Sequence, residues 1–252
     1  IAHAVRFEKQ RQLEGVGRHV DEVVRAVVFG GAVVGAAGAL ELAAAYSYFP
    51  RGTIFLAVVD PGVGSSRYGI AAEAGGCRFV APDNGVLTQV FAKTPPTRVV
   101  ELSDRRYARA TVSRTFEGRD RFAPAAAWLA KGLELSALGR PLSDWQMLQV
   151  PEPVISDDAV TGEVIRIDRF GNLVTNIDRR TFDRFAARGS VEISAGAHPV
   201  AMVVATYAEV AADTVCALFG STEQLEIAVN GGSAAARLHL LRGAAVVLSR
   251  PC

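Results

Sequence analysis

Apolar runs alternate with loop-forming residues along the first 150 residues of the chain. The clearest run, residues 53–59 (TIFLAVV), is continuous and rich in β-branched side chains, which predicts a strand covered on both faces. Other runs predict strands at 68–72, 78–81 and 99–102, and helices at 32–49, 86–91 and 122–133. Residues 1–31 show no clear period. This alternation predicts an α/β domain with a mainly parallel sheet over residues 1–150.

The pattern changes near residue 150, where Pro151, Pro153 and the acidic pair Asp157–Asp158 indicate a linker. Beyond it, short runs alternate between apolar and polar positions, and turns with Gly and polar residues separate them. These runs are 163–167, 173–177, 190–194, 200–205, 215–219, 225–229 and 244–248. They predict a smaller second domain, residues 151–252, built from an antiparallel sheet or barrel.

Composition and charge narrow the classes of function. Half of the 252 residues are hydrophobic and 21% are charged, which is typical of a globular protein. The net charge is +1 and no basic block occurs, so the sequence predicts neither a nucleic-acid partner nor binding to an anionic membrane.

The three cysteines and four histidines are scattered along the chain. There is no CxxC pair and no HxxxH or HxH spacing, which argues against a disulfide framework and a metal site and fits a reducing cytoplasm. One long uncharged run, residues 26–40, has 15 residues, fewer than the roughly 20 that a membrane span requires. We therefore expect a cytoplasmic protein with no membrane-spanning segment.

The loop from Asp60 to Arg67 (DPGVGSSR) follows the predicted strand at 53–59. Ligands of open α/β sheets bind at the carboxyl ends of strands, and glycines let a backbone approach a ligand closely. An Asp and an Arg seven residues apart either close the loop as a salt bridge or hold a small polar ligand. The loop is the first candidate for a reaction centre.

Further candidates carry similar chemistry. Residues 115–120 (TFEGRD) crowd three charges beside a Gly, where Asp120 is either a helix cap or a site residue. Residues 82–85 (PDNG) form a turn signature. Residues 167–177 (IDRFGNLVTNI) combine a carboxylate, an aromatic face and an amide, as in a pocket lip or a hairpin turn.

Five segments, taken in order, resemble the family of S-adenosylmethionine hydrolases that form adenosine, which are relatives of the fluorinase and chlorinase enzymes. The segments are VVDPGVGSSR, APDNGVL, TFEGRDRFAPAAA, IDRFGNLVTNI and STEQLEIAVNGGSAA. The resemblance runs from about residue 36 to the end of the sequence. It implies an α/β domain followed by a β-barrel domain, and a homotrimer with sites between neighbouring subunits. S-adenosylmethionine would be the substrate, attacked at C5′, and no cofactor is implied.

The resemblance also implies roles for individual residues. The family's hydrolases hold the attacking water with an Asp-Arg-His trio, which Asp60 and Arg67 match, while Glu117 occupies the third position. Substrate contacts are implied for the methionine part at Asp168 and Ser221, for the adenine at Phe170, Asn172 and Tyr207, and for the base through the backbone at Asn230 and Gly231.

Two departures from the family pattern bear on the substrate. The family's Ser/Thr-Asp-Phe/Leu-Gly motif, whose Asp binds the ribose, does not occur in residues 1–35, so ribose recognition is unassigned. Thr222 stands where the fluorinase has an Arg.

Asp60 distinguishes hydrolysis from halogenation, because the halogenating relatives carry an uncharged residue at its position. Val63 similarly stands where the fluorinase has Thr. Two negative charges about 4 Å apart repel by roughly 4 kcal/mol at an effective dielectric near 20, which favours water over halide beside Asp60. The hypothesis is that Asp60 and Arg67 orient a water for attack on C5′, while Glu117 accepts a proton or steadies Arg67.

Three alternatives stay open. One is a protein that binds adenosine or S-adenosylmethionine without catalysis, and another is a halogenase relative. The third is a hydrolase whose metal is held by carboxylates, for which Asp60, Asp83, Glu117 and Asp120 are the candidates.

Overall fold

The structure is a computed structural model that describes residues 2–6, 25–29 and 36–251. The chain divides into two compact units, Ile1–Gln149 and Val150–Cys252. Within the described ranges, no helix has both the length and the apolar character needed to cross a membrane.

In its described residues, the first unit combines a four-stranded sheet, a separate strand pair and three α-helices. Its strands are β1 Ala2–Arg6, β2 Arg25–Phe29, β3 Ile54–Leu56, β4 Gly69–Ala74, β5 Cys77–Pro82 and β6 Arg98–Glu101. Its helices are α1 Ala36–Ala45, α2 Thr88–Lys93 and α3 Ala123–Ala130. Short 3₁₀ turns lie at Tyr46–Tyr48, Arg105–Tyr107 and Leu135–Leu138, and a π-helical turn, Gly118–Phe122, leads into α3.

The four-stranded sheet has the order β3-β5-β4-β6. Strands β3 and β5 are parallel, whereas β4 is antiparallel to both of its neighbours. The prediction of a mainly parallel sheet is therefore not confirmed in the described residues, where the sheet is mixed. The reason is a tight hairpin, because Gly75 and Gly76 join β4 to β5 with φ of +59° and +77°. A two-residue turn with positive φ at both positions connects antiparallel strands.

Strand β3 is buried on both faces, as its continuous apolar run predicts. Phe55 packs on one side with α1 and α2, where its ring stacks 5.2 Å from the Phe79 ring. Ile54 and Leu56 point to the other side, where they pack with α3. The chain beyond β3 is held to the sheet by a hydrogen bond of 2.9 Å from Ala57 N to Val80 O. This anchorage fixes the direction in which the chain enters the Asp60–Arg67 loop.

Over residues 150–251, which the structure describes, the second unit contains eight strands and two α-helices. Its strands are β7 Val154–Ile155, β8 Ala159–Ile167, β9 Leu173–Asp178, β10 Glu192–Ala195, β11 His198–Val200, β12 Val215–Phe219, β13 Gln224–Val229 and β14 Ala245–Ser249. Its helices are α4 Arg179–Ala186 and α5 Ala234–Leu238, and a 3₁₀ turn lies at Tyr207–Glu209. The helices α4 and α5 were not predicted.

The strands of this unit form a nearly closed antiparallel barrel. Their order is β11-β10-β14-β8-β9-β13-β12, and β7 pairs with β8. The chain after β11 runs beside β12, where Ala217 N donates to Met202 O at 2.9 Å and Val204 N donates to Ala217 O at 2.8 Å. The predicted antiparallel barrel is confirmed. Its interior is apolar and includes Leu173, Leu225 and Ile227.

Candidate active site

The Asp60–Arg67 loop is closed by a bidentate ion pair between its two ends. Arg67 Nε donates to Asp60 Oδ1 at 2.8 Å, and Arg67 Nη2 donates to Asp60 Oδ2. The side chains of Arg67 and Asp60 are 8% and 9% exposed. A forked pair of this kind fixes both the distance and the plane of the two groups. The loop therefore presents Asp60 and Arg67 as one rigid unit.

Glu117 joins this pair from a distant part of the chain. Arg67 Nη2 also donates to Glu117 Oε2 at 2.5 Å, and the Glu117 side chain is 12% exposed. The structure thus brings together the three residues that the sequence predicts as catalytic. The salt bridge predicted to close the loop is present, and Asp60 also lies among the residues that line a cavity.

The π-helical turn Gly118–Phe122 holds Glu117 against the loop. Gly118 packs against Val58, since a Cβ added at Gly118 would lie 2.8 Å from Val58 Cγ1. The Phe122 ring lies under Arg67, with 5.3 Å between its centroid and Arg67 Cζ. Arg121 Nη1 lies 3.3 Å from Glu117 Oε1. The turn therefore supplies an apolar support for Arg67 and a second cation for Glu117.

A cavity of about 220 Å³ opens beside Asp60. Its lining is Val58, Asp60, Val63, Thr115, Phe116, Gly118, Arg119 and Phe122. Ligand pockets are usually about 300–1,000 Å³, so this cavity has room for only one end of a small organic molecule. Asp60 and Arg119 are the charged residues in its lining. A water molecule in this cavity would lie beside Asp60 in a wall that also contains Thr115, Arg119 and several apolar residues.

The PDNG turn supports the Asp60–Arg67 loop from another side. Asn84 Nδ2 donates to Val59 O at 2.9 Å, which ties the turn to the chain just before Asp60. Asp83 is buried and accepts a hydrogen bond of 2.8 Å from Gln146 N. Burial raises the pKa of Asp83 above its usual value, and the Gln146 hydrogen bond partly opposes this shift. Asp83, Asn84 and Arg67 lie among the residues that line a second cavity, of about 540 Å³.

Asp120 anchors the loop that precedes the π-helical turn. Its buried carboxylate accepts hydrogen bonds from Arg119 Nε at 2.7 Å, Ser113 N at 2.9 Å and Arg109 Nη1 at 3.2 Å. The hydrogen bonds from Arg119, and then that from Ser113, hold the pKa of Asp120 well below its usual range. Asp120 is therefore not the cap of α3, because its side chain binds the preceding loop rather than the helix.

The carboxylates proposed for a metal centre are not grouped as ligands. Within the described part of the chain, no three His, Cys, Asp or Glu side chains form a cluster that fits a metal ion. Asp60, Glu117 and Asp120 are each paired with arginine. These ion pairs give no support to the metal hydrolase alternative.

In the second unit, four of the predicted substrate contacts form one hydrogen-bonded group. Asp168 Oδ1 accepts from Phe170 N at 2.8 Å and from Asn172 N at 2.9 Å. Asn172 Nδ2 donates to Asp168 Oδ2 at 2.9 Å and to the Tyr207 hydroxyl at 3.2 Å. Gly171 has φ of +87° and packs against Ser233, so a side chain at position 171 would collide. This tight turn leaves the Phe170 ring 79% exposed.

The other predicted contacts of this unit lie outside that group. Asn230 Nδ2 donates to Val210 O at 2.7 Å, so its side chain ties down the chain that follows Tyr207. Gly231 is exposed with φ of +79°, and no heavy atom lies within 4 Å of a Cβ added there. Ser221 is exposed in the turn between β12 and β13.

Two charged residues near these groups lie in the candidate segments but were assigned no role of their own from the sequence. Arg121 contacts Glu117, and its spacing of four residues is a recognisable helical signal. Glu226 is buried in β13, against Gly220, and its charge adds to burial in raising the pKa of Tyr207. A carboxylate inside the apolar run 225–229 was the signal available for Glu226.

In a comparison with known protein families, each unit of the chain matches a domain of the same family. The model of the SAM hydroxide adenosyltransferase N-terminal domain matches residues 33–139, and that of the C-terminal domain matches residues 162–247. The chain belongs to the SAM hydroxide adenosyltransferase family. The resemblance carried by the five sequence segments is thereby confirmed.

Members of this family with similar sequences include hydrolases and fluorinases. The (R)-S-adenosyl-L-methionine hydrolase of Salinispora tropica is 39% identical over 215 residues, covering 82% of this chain and 78% of that protein. The protein of the same name from Thermus thermophilus is 39% identical over 217 residues, covering 83% and 81%. A fluorinase from an Actinoplanes species is 30% identical over 164 residues, covering 54% and 55%.

A solved structure shows the same fold. The crystal structure of an uncharacterized conserved protein from Thermotoga maritima is 36% identical and superposes with a TM-score of 0.76, covering 84% of this chain and 83% of that one. The fold of that protein is therefore shared over most of this chain.

Proposed function

We propose that this protein hydrolyses S-adenosyl-L-methionine to adenosine and L-methionine. Three relatives named as hydrolases of this substrate are 35–39% identical over more than four-fifths of the chain. The observation that carries the proposal is the Asp60 carboxylate, which is held by Arg67 and lines the cavity of about 220 Å³. No cofactor is required, because the sulfonium of the substrate is itself the activated leaving group.

In the proposed reaction, Asp60 accepts a hydrogen bond from the attacking water and so orients a lone pair toward C5′. The water oxygen forms the new bond to C5′ as the bond from C5′ to sulfur breaks. The sulfur leaves with the electron pair as neutral methionine, so no general acid is needed, and the proton released from the water passes to solvent. Most of the rate comes from positioning, for which effective molarities reach about 10⁵ M or more.

Glu117 serves in this mechanism to steady Arg67. Its two carboxylate oxygens face two different guanidiniums, Arg67 at 2.5 Å and Arg121 at 3.3 Å. This arrangement favours the ionic role of Glu117 over the role of proton acceptor.

The charge of Asp60 supports water over halide as the nucleophile. A halide in the cavity beside Asp60 would be repelled by roughly 4 kcal/mol at 4 Å and an effective dielectric near 20. Val63 adds an apolar side chain to the same wall, where it offers no hydrogen bond to an anion.

Roles in substrate binding are proposed for the second unit. Asp168 and Ser221 hold the methionine part, and Phe170, Asn172 and Tyr207 surround the adenine. Asn230 and Gly231 meet the base through their backbone. The exposed Phe170 ring and the Asn172–Tyr207 hydrogen bond support this assignment, since they offer a stacking face beside polar groups.

The proposal extends to assembly and location. The protein acts as a homotrimer whose sites lie between neighbouring subunits, and it works in the cytoplasm. Free thiols at the buried residues Cys77 and Cys216 support a reducing compartment.

A product assay tests the reaction. The purified protein is incubated with S-adenosyl-L-methionine, with and without chelator and with and without chloride or fluoride, and the products are separated by chromatography. Adenosine and methionine in equal amounts, unaffected by chelator or halide, are expected. A halogenated nucleoside would replace the proposal with a halogenase, loss of product with chelator would replace it with a metal hydrolase, and binding without product would leave only a binding protein.

A further inference from the structure

Arg121 lies beside the carboxylate oxygen of Glu117 that Arg67 does not contact. Its Nη1 lies 3.3 Å from Glu117 Oε1, while Arg67 Nη2 donates to Glu117 Oε2 at 2.5 Å. Arg67 in turn is paired with Asp60. The four side chains Asp60, Arg67, Glu117 and Arg121 form a charged row in which the sign alternates and the formal charges cancel.

We infer that Arg121 is a positioning residue for the reaction, acting through Glu117 on Arg67. The inference rests on the hydrolytic function proposed above. The last torsion of a glutamate side chain is broad, so a carboxylate with one cationic partner rotates easily. A second guanidinium beside the other oxygen restricts that rotation of the Glu117 carboxylate. Arg67 is then held at a defined angle between Glu117 and Asp60.

Arg121 also balances the charge of the row. Without it, two carboxylates would share one guanidinium, and the row would carry one net negative charge. The sulfonium substrate is cationic, but its sulfur loses that charge in the transition state. An extra negative charge would therefore stabilise the bound substrate more than the transition state, which lowers kcat and not the apparent affinity.

Replacing Arg121 separates these effects from a loss of folding. The Arg121 side chain is 32% exposed, so solvent weakens its pairing and a moderate effect is expected. We expect Arg121→Gln to lower kcat about fivefold without raising KM. Arg121→Lys keeps the charge and should stay within about twofold of the parent protein.

A matched control removes an arginine from another ion pair. Arg106 binds Asp104, and its side chain is 77% exposed. Arg106→Gln therefore makes the same change of charge away from the row, and its kcat and KM should equal those of the parent protein.

A double-mutant cycle tests whether Arg121 acts through Glu117. In a Glu117→Gln background, the further change Arg121→Gln is expected to lower kcat by clearly less than fivefold, because the contact through which Arg121 positions Arg67 is already lost and only its charge remains to be removed. The inference is overturned if Arg121→Gln has the kcat of the parent protein, if it raises KM, or if it costs the same factor in both backgrounds.

The four proteins of this cycle, namely the parent, the two single variants and the double variant, also distinguish this inference from the proposed function. If the parent protein forms no adenosine, the proposed function fails, and urea unfolding then tests the pair directly. The coupling of Glu117 with Arg121 is supported if the urea midpoint of the double variant falls by less than the two single-variant decreases added together. Additive shifts overturn it.

Discussion

At the scale of single residues, Arg67 is where the two segments of the site meet. It donates to Asp60, seven residues earlier, and to Glu117, fifty residues later. The planar guanidinium makes both contacts at once because its five donors form a rigid fork. The Phe122 ring supports one face of that fork. The shape of Arg67, and not only its charge, therefore organises the site.

Arg67→Lys tests the importance of that shape. Lysine keeps the positive charge but cannot donate in two directions within one plane, so Asp60 and Glu117 lose their fixed orientation. We expect kcat to fall by about 100-fold, with a smaller change in KM, in steady-state assays of adenosine release. Arg106→Lys, in the exposed pair with Asp104, is the control. An Arg67→Lys enzyme with more than a third of the parent kcat would contradict this view.

Asp120 gives a prediction about pH. Its pKa is lowered in the folded chain by the Arg119 and Ser113 hydrogen bonds, so folding favours the ionised form. The resulting stabilisation is present above about pH 4 and is lost as the pH falls toward the lowered pKa. Asp120→Asn should have a lower urea midpoint than the parent protein at pH 7. The difference should shrink between pH 4 and pH 2, and a constant difference would refute the assignment.

At the scale of elements, the π-helical turn Gly118–Phe122 places most of the groups that surround Arg67. π-helical turns are rare and often occur at functional sites, because the wider turn redirects side chains. Here the turn carries Asp120 into the preceding loop, Arg121 toward Glu117 and Phe122 under Arg67. It reaches the end of strand β3 only because Gly118 has no side chain to meet Val58.

Gly118→Ala tests this close approach. The new Cβ would lie 2.8 Å from Val58 Cγ1, so the turn and Glu117 must shift away from the loop. We expect a loss of about 1–3 kcal/mol in the free energy of unfolding together with a fall in kcat. The second change Val58→Ala removes the colliding methyl group and should restore part of both quantities. If Val58→Ala restores neither the free energy of unfolding nor kcat of the Gly118→Ala protein, the contact between residue 118 and Val58 is not the cause of the losses.

At the scale of the whole molecule, each unit has its own apolar core and its own part of the family match. The N-terminal family domain lies within the first unit and the C-terminal family domain within the second. The groups proposed for chemistry belong to the first unit, and those proposed for binding methionine and adenine belong to the second. In the proposed homotrimer, both sets of groups act together at sites between neighbouring subunits.

Sedimentation equilibrium tests the assembly. We expect a mass three times that of one chain, together with a specific activity that falls on dilution below the dissociation range of the trimer. The fall should be absent at concentrations where the trimer persists. A monomer with full activity would rule out sites that need a neighbouring subunit.

The local features of this protein were predictable from the sequence. The run at 53–59 predicts a buried strand because every position is apolar, and the short alternating runs after residue 150 predict the antiparallel barrel. The five ordered segments indicate the family because they keep their residues and spacing. Asp60 and Arg67 were predicted together since they end the same short loop.

Other features were decided by the tertiary structure, since they depend on contacts between distant segments. The mixed sheet follows from the Gly75–Gly76 hairpin, whose Gly-Gly signal was present but gives no strand order by itself. Helix α4 starts at the Asp178 cap, yet its sequence is largely polar and packing is needed to hold it. Glu117 meets Arg67 across fifty residues, and Arg121 acquires a role only when that contact exists. The sequence determined which residues were available to the site, and packing of the π-helical turn against Val58, just beyond strand β3, determined which of them meet.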